Sequence, residues 1–322
     1  MTLTARHLLS QRPSTTAMGF VAPTTRAAVA DLEDRGAASL WVGGHVASRN
    51  PSPEPMVWLA RLVEQTSRTI VGTATLLLPL YPPGIVAKQL ADLDRASNGR
   101  LAIGVGVGGE YTADFDACEV PIAERGSRTN EALTLLRQFW TAEPVTYVGR
   151  HHHYDDVRIH PAPTQVGGPP LIVTGRQPVA MGRAARLGDG WMPYLYSPER
   201  YARSVVTVRA EAERGERNLD DFTWFVYVFV SLDDDTKRAR AAASEFLGGT
   251  YRNDFDAMVD RVACVGTVEQ ITDRLASFVD AGVEHFVLAP IGPSPQETAR
   301  RLLDEIHPKL IRHTERPFRA EN

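Results

Sequence analysis

The sequence predicts a (β/α)8 barrel with insertions at its C-terminal face, on three observations. Short apolar segments alternate with amphipathic ones, eight strand candidates recur in that rhythm, and no break in composition divides the 322 residues. Alternation of this kind implies a parallel sheet, because each return helix brings the chain back to start the next strand in the same direction. Eight repeats in about 300 residues suit a closed barrel better than an open sheet. A single domain over 1–322 is expected, with insertion segments at about 142–169 and 248–266.

The elements follow in order. Met18–Ala22 is the first strand candidate, and Thr25 to about Arg35 a helix stopped by Gly36. Ala38–Val42 is the second strand, followed by a polar loop and a helix over Glu54–Gln65. Thr69–Leu78 is an apolar, Thr-rich third strand. Pro83 suits the first turn of a helix ending near Ser97, with Asn98-Gly99 as its stop. Leu101–Val105 is the fourth strand, and Glu124–Trp140 an amphipathic helix. The stretch Ala142–Pro169, rich in Pro, Gly, His and Tyr, breaks the rhythm and reads as an insertion with a small hairpin. Pro170–Thr174, a helix over Gln177–Leu187, and Gly190–Pro193 resume it. Ser197-Pro198-Glu199 combines a cap, a first-position proline and a first-turn acid, and starts a helix to about Arg214. Phe222–Val230 is an aromatic strand and Asp235–Leu247 a helix. An irregular stretch over Gly248–Gly266 follows. Thr267 and Gln270 form a capping box opening a helix to Ala281. Glu284–Ala289 and Gln296–Arg312 complete the series.

Composition narrows the function classes. A net charge of −4 gives no electrostatic case for nucleic acid. No apolar run reaches the length of a membrane span, and the first residues lack the apolar core of a signal peptide. Cys118 and Cys264 stand far apart, which suits two free thiols in a cytoplasmic protein. Only three of the 35 basic residues are lysine, a bias that GC-rich coding explains.

The run Gly104-Val105-Gly106-Val107-Gly108-Gly109-Glu110 fits the dinucleotide pattern G-x-G-x-x-G. That motif works only with a helix opening at its third glycine, where amide dipoles meet the pyrophosphate. Tyr111–Arg125 contains Pro121 and no clean helical period, so a nicotinamide-binding Rossmann unit is not expected. The glycines are expected to line a site of another kind.

In a barrel the site lies at the C-terminal ends of the strands. That rule selects Gly43-Gly44-His45 after the second strand, Gly72 to Thr75 along the third, Gly106 to Glu110 after the fourth, and Gly175-Arg176-Gln177 after the fifth. Gly175-Arg176-Gln177 precedes a helix, so free N–H groups and a guanidinium suit a phosphate; a plain turn with a solvated arginine is the alternative. His45 is a candidate proton carrier, and Glu110 a candidate acid or a solvated loop carboxylate. The adjacent His151, His152 and His153 cannot all face one ion on an extended segment, so no metal site is expected.

Together these segments resemble the luciferase-like monooxygenase family, flavin- or deazaflavin-dependent oxidoreductases. The resemblance rests on Leu40-Trp41-Val42 leading to His45, on Leu90 to Arg100 followed by the glycine run, and on Glu124-Arg125-Gly126-Ser127-Arg128. It continues through Pro169 to Arg176, Ala184 to Trp191, and Val265-Gly266-Thr267 with Asp280 to Val283. The resemblance implies a tricyclic ring at the mouth, bordered by Ala74, Thr75, Gly106, Val107 and Gly108. It also implies a bulge with a non-proline cis peptide near Ala74–Thr75, and a phosphate at Gly175, Arg176 and Gln177. Deazaflavin members often carry an Asp just before the histidine, where this chain has Gly44. The leading expectation is a monooxygenase using reduced FMN from a separate reductase, with a small organic substrate capped by the 142–169 insertion. The alternative is hydride transfer by coenzyme F420, towards which the arginine bias leans. A non-catalytic binding barrel is the reading from another class. Family members often form homodimers.

Overall fold

The computed structural model describes residues 3–10, 16–48 and 51–314. Its strands are β1 (Ala17–Val21), β2 (Ser39–Val42), β3 (Ile70–Leu77), β4 (Leu101–Gly106), β5 (Val145–Val148), β6 (His153–Val157), β7 (Leu171–Thr174), β8 (Gly190–Met192), β9 (Thr223–Leu232), β10 (Ala263–Gly266) and β11 (His285–Pro290). Eight of them close a parallel ring in the order β1-β2-β3-β4-β7-β8-β9-β11, with β11 pairing back to β1 through Ala17 and His285. The expected barrel is therefore the observed one.

The ring is filled from both sides. Trp41, Ile70, Ala102, Ile172, Met192, Phe225 and Val287 point inwards, one from each of seven strands, and pack into one core cluster. Ala5 and Leu9 join the same cluster from a helix at Ala5–Ser10, and the Thr223 hydroxyl donates to the Leu9 carbonyl. This helix stoppers the N-terminal end of the barrel. Its six residues are too few to carry a periodic signal, so it is absent from the sequence-based reading. Inside, Trp41 Nε1 donates to Ser39 Oγ at 2.6 Å, and Ser39 Oγ lies 2.6 Å from His285 Nε2. Burial drives the His285 pKa down to about 3, so the imidazole is neutral.

Two segments differ from expectation. Between Gly248 and Gly266 the helix before it runs on to Tyr251, a short helix covers Val259–Val262, and β10 follows. β10 pairs with Phe229–Leu232 of β9, beyond the point where β8 stops. The segment reads as irregular because its ordered pieces are about one turn or one short strand long. The 142–169 insertion does form a hairpin, β5 with β6. It lies along the flank, however, between the helices Pro83–Ala96 and Arg125–Phe139. Lys88 donates to the His160 carbonyl, Tyr154 meets Phe139 edge-on, and Gln165 bonds Asp94. Its turn approaches the C-terminal rim, where His151 Nε2 lies 2.8 Å from Ser127 Oγ. The hairpin thus does not cap the mouth. His151 pins that turn, His152 stacks on Tyr154, and no metal-holding cluster occurs among the described residues.

At the opposite rim the Glu33 carboxylate accepts backbone N–H groups from Ser67, Arg68 and Thr69 at 2.8–3.1 Å. Burial opposes the charge, and these N–H donors outweigh it, holding the carboxyl down at about 2. A carboxyl whose folded pKa is depressed contributes stability above its ordinary value of 4.5, and that contribution fades as pH falls towards 2. Glu33→Gln is therefore expected to lower stability at pH 7 by roughly 1.5–3 kcal/mol, the value of hydrogen bonds to a charged group. Urea unfolding should show the gap between wild type and variant narrowing from pH 5 to pH 2.5; a gap independent of pH would contradict this role.

Candidate active site

The C-terminal ends of β2, β3, β4 and β7 are neighbours in the ring, so the four sequence segments singled out above meet at one mouth. Gly43 ends β2 so close to β3 that a Cβ there would lie 2.6 Å from the Ala74 carbonyl oxygen. A Cβ on Gly44 would lie 2.0 Å from the Pro53 carbonyl oxygen, so no side chain of any kind fits there without movement. Gly44 is thus a packing requirement of this loop.

His45 follows, and its partner is a residue the sequence reading passed over. Asp114 lies in the first turn of a helix at Thr112–Ala117, is 1% exposed, and places Oδ2 2.8 Å from His45 Nδ1. Its other oxygen accepts the N–H groups of Val46 and Ala47, each at 2.8 Å. An ionised carboxylate only accepts, so Nδ1 carries the proton and Nε2 is left for a ligand. The Tyr111 ring meets the imidazole edge-on, 4.7 Å between centroids. A first-turn acid was the available signal for Asp114, but the absence of a long helix around it hid that position.

The same helix decides the glycine motif. It begins at Thr112, three residues past Gly109, and carries a buried Asp114 where a pyrophosphate would need bare amides. The glycines serve packing. A Cβ on Gly104 would stand 2.1 Å from the Thr73 carbonyl oxygen, and one on Gly106 would stand 2.7 Å from Thr75 Cγ2. Gly108 and Gly109 take φ of +68° and +116° as the loop turns away, with the half-buried Val107 before them.

Beside this loop, the Ala74–Thr75 peptide is cis, and the β3–β4 register shifts between Thr73 and Leu76. Across Gly106, Thr75 Oγ1 lies 3.3 Å from Thr174 Oγ1, which itself donates to the Val105 carbonyl. Thr75 is therefore the donor of that pair. The two hydroxyls floor the mouth between β3 and β7, with only a glycine strand between them.

After β7, Gly175 takes φ of +133° and accepts from Trp191 Nε1 at 3.1 Å. Gln177 is the N-cap residue of the helix Pro178–Leu187, and its side chain makes no capping bond. The Arg176 guanidinium lies over the Tyr194 ring, 4.6 Å from its centroid. The Tyr194 hydroxyl donates to Glu110, and burial together with that carboxylate pushes the phenol pKa well up. Glu110, on the exposed side of the loop, is thus joined to Arg176 through Tyr194. A cavity of about 640 Å3 opens alongside, walled by Glu110, Tyr111, Arg176 and the 250–262 segment. The segment expected to be irregular supplies the wall that the 142–169 hairpin was expected to supply.

The model of the luciferase-like monooxygenase family matches residues 1–285. The chain belongs to that family. It is accordingly an oxidoreductase of the luciferase-like type. Among curated relatives it is 28% identical over 293 residues to the F420-dependent glucose-6-phosphate dehydrogenase of Microbacterium testaceum (strain StLB037), covering 83% of this chain and 84% of that one. It is 25% identical over 306 residues to the enzyme of the same description from Amycolatopsis mediterranei (strain U-32), covering 86% and 91%. Among solved structures, an F420-dependent secondary alcohol dehydrogenase with an F420-acetone adduct superposes with a TM-score of 0.80 at 20% identity, over 94% of this chain and all of that one. The oxygenating constituent of 3,6-diketocamphane monooxygenase from Pseudomonas putida, in complex with FMN, gives 0.74 at 17% identity, over 92% and 98%. Both structures share the barrel.

The Asp114 contact makes a prediction that needs no substrate. Nitrogen-15 spectra of the His45 ring should show the Nδ1–H tautomer in the wild type. In Asp114→Asn the amide nitrogen can instead donate to Nδ1 and favour Nε2–H. Identical ring spectra in the two proteins would remove Asp114 from this role.

Proposed function

We propose that the protein is a coenzyme F420-dependent oxidoreductase that moves hydride between the deazaflavin and a small organic molecule bearing a hydroxyl or carbonyl group. The observation that carries this reading is the His45–Asp114 pair: a proton carrier with one nitrogen committed to a buried carboxylate and the other left for a ligand. The relatives quoted above, which are named F420-dependent and span most of the chain, favour F420 over the reduced FMN expected first. Gly44, where deazaflavin members often carry Asp, does not weigh against it, because Asp114 supplies a carboxylate to the same histidine from a neighbouring loop.

The residues present fit a flat ring. Gly106 leaves the Thr75–Thr174 floor uncovered, since a Cβ there would strike Thr75. Ala74, Thr75, Gly106, Val107 and Gly108 would border the ring, and Gly175, Arg176 and Gln177 would hold the phosphate. The cofactor, when bound, supplies a two-electron hydride acceptor or donor. Removing hydride from a carbinol carbon leaves a proton on its oxygen, and His45 Nε2 takes that proton; in the reverse direction it returns it. Asp114 holds the ring in the tautomer that permits this. Glu110, held by the Tyr194 hydroxyl, is placed to orient a substrate hydroxyl beside Tyr111.

Side-by-side titration with F420 and FMN tests the reading: F420 should bind at least tenfold more tightly. His45→Ala should retain F420 affinity and lose roughly 10²–10⁴-fold in the rate of F420 reduction or oxidation, the usual contribution of a positioned acid–base group. Preferential FMN binding with oxygen consumption would overturn it, and would restore the monooxygenase reading.

A further inference from the structure

The inner face of the barrel carries a phenol that the protein itself leaves without a partner. Along β9, Phe225, Tyr227 and Phe229 alternate with residues of the outer face, so all three side chains point into the ring. Register sets their depth. Phe225 belongs to the core cluster with Trp41 and Val287, and Tyr227, paired with Val287, packs on that cluster together with Ala74. Phe225 is fully buried, whereas Tyr227, one step nearer the C-terminal end, is partly exposed. An inward residue of a closed ring reaches solvent only through an open end, and the N-terminal end is stoppered, so the exposed part of Tyr227 faces the mouth. β9 lies four steps from β3 in either direction round the ring, which sets Tyr227 directly across from the Ala74–Thr75 bulge.

The other hydroxyls described at this mouth have their protons committed. Thr75 donates to Thr174, Thr174 to the Val105 carbonyl, Tyr194 to Glu110, and Tyr111 to the Thr250 carbonyl. The Tyr227 hydroxyl makes no hydrogen bond among the described residues, and its oxygen is not sealed off from solvent. A phenol in such a recess normally finds a partner for its O–H, because leaving the bond unmade costs the solvation of the group. The ring is also held in place. Phe229 meets it edge-on, 5.2 Å between centroids, and its own backbone N–H donates to the Pro193 carbonyl. Burial raises the phenol pKa, so the hydroxyl keeps its proton and stays a donor. The other polar groups facing a ligand here are acceptors: the Glu110 carboxylate, and His45 Nε2 while Nδ1 carries the proton. An acceptor oxygen on a ligand needs a donor, and Tyr227 presents one.

We propose that Tyr227 is a specificity residue of the mouth, whose hydroxyl donates a hydrogen bond to an acceptor oxygen of the substrate from the wall opposite the bulge. A carbonyl, hydroxyl or ether oxygen fits. The proposal deepens the oxidoreductase reading, and takes from it only that the substrate enters this mouth.

Cyclohexanone, a neutral ketone, is the probe, and 3-fluorotyrosine incorporated at position 227 gives a single fluorine signal that reports on the hydroxyl without removing it. The ketone should move that signal, in the free protein or with F420 or FMN bound. Tyr227→Phe should bind the ketone about fivefold more weakly, the contribution of one neutral hydrogen bond, while melting at the wild-type temperature and keeping its cofactor affinity. A fluorine signal that the ketone leaves in place under all these conditions would overturn the role, as would equal ketone affinity in wild type and a folded Tyr227→Phe. Weakened cofactor binding in Tyr227→Phe would also overturn it, by assigning the hydroxyl to the cofactor. Failure of F420 to bind would bear on the cofactor reading alone, since the fluorine titration and the ketone affinities are measured without it as well.

Discussion

One buried carboxylate organises the mouth of this barrel. Asp114 is removed from water at the start of a short helix, and three donors from the loop after β2 converge on it: two backbone N–H groups and the His45 ring. A buried charge is tolerated only when its acceptor capacity is used, so the loop after β2 and the helix after β4 must stay together. That constraint sets the position of His45, its tautomer, and the place of Tyr111 beside it. Through Tyr111 it also fixes one edge of the cavity beside the mouth.

The glycines act at the next level. In β4 they let the chain run against Thr73 and Thr75 at distances no side chain allows, so the cis peptide and the threonine pair can occupy the mouth. At Gly43 and Gly44 the same requirement brings the end of β2 against Ala74 and Pro53. The bare wall of the site is thus a by-product of close strand packing. The same packing rules out the dinucleotide reading, since it places backbone carbonyls and threonines where a pyrophosphate would need free amides.

The barrel was legible because its strands and long helices repeat their patterns over several turns, and the rule locating sites at strand C-termini does not depend on side-chain detail. His45 and the segments after β4 and β7 could be named for that reason, whereas the bulge at Ala74–Thr75 was implied by the resemblance to the family. Asp114 could not, because its partner is 69 residues away and its helix is six residues long. The stopper helix and β10 were hidden by equal brevity. The flank position of the 142–169 hairpin rests on contacts such as Lys88 to His160, which no local pattern encodes. Arg176 was picked as a cation near a helix end, but its stacking on Tyr194 is set by tertiary packing.

The proposed place of the ligand is the C-terminal mouth, bounded by the loops after β2, β3, β4 and β7. Amide hydrogen exchange with and without F420 measures that location directly. Exchange should slow at 43–47, 104–109 and 173–180 when F420 is added, while the stoppered N-terminal end around Ala5–Ser10 and Ser67–Thr69 should be unchanged. Protection confined to the N-terminal end or to the 142–169 hairpin, with the mouth unaffected, would contradict the account.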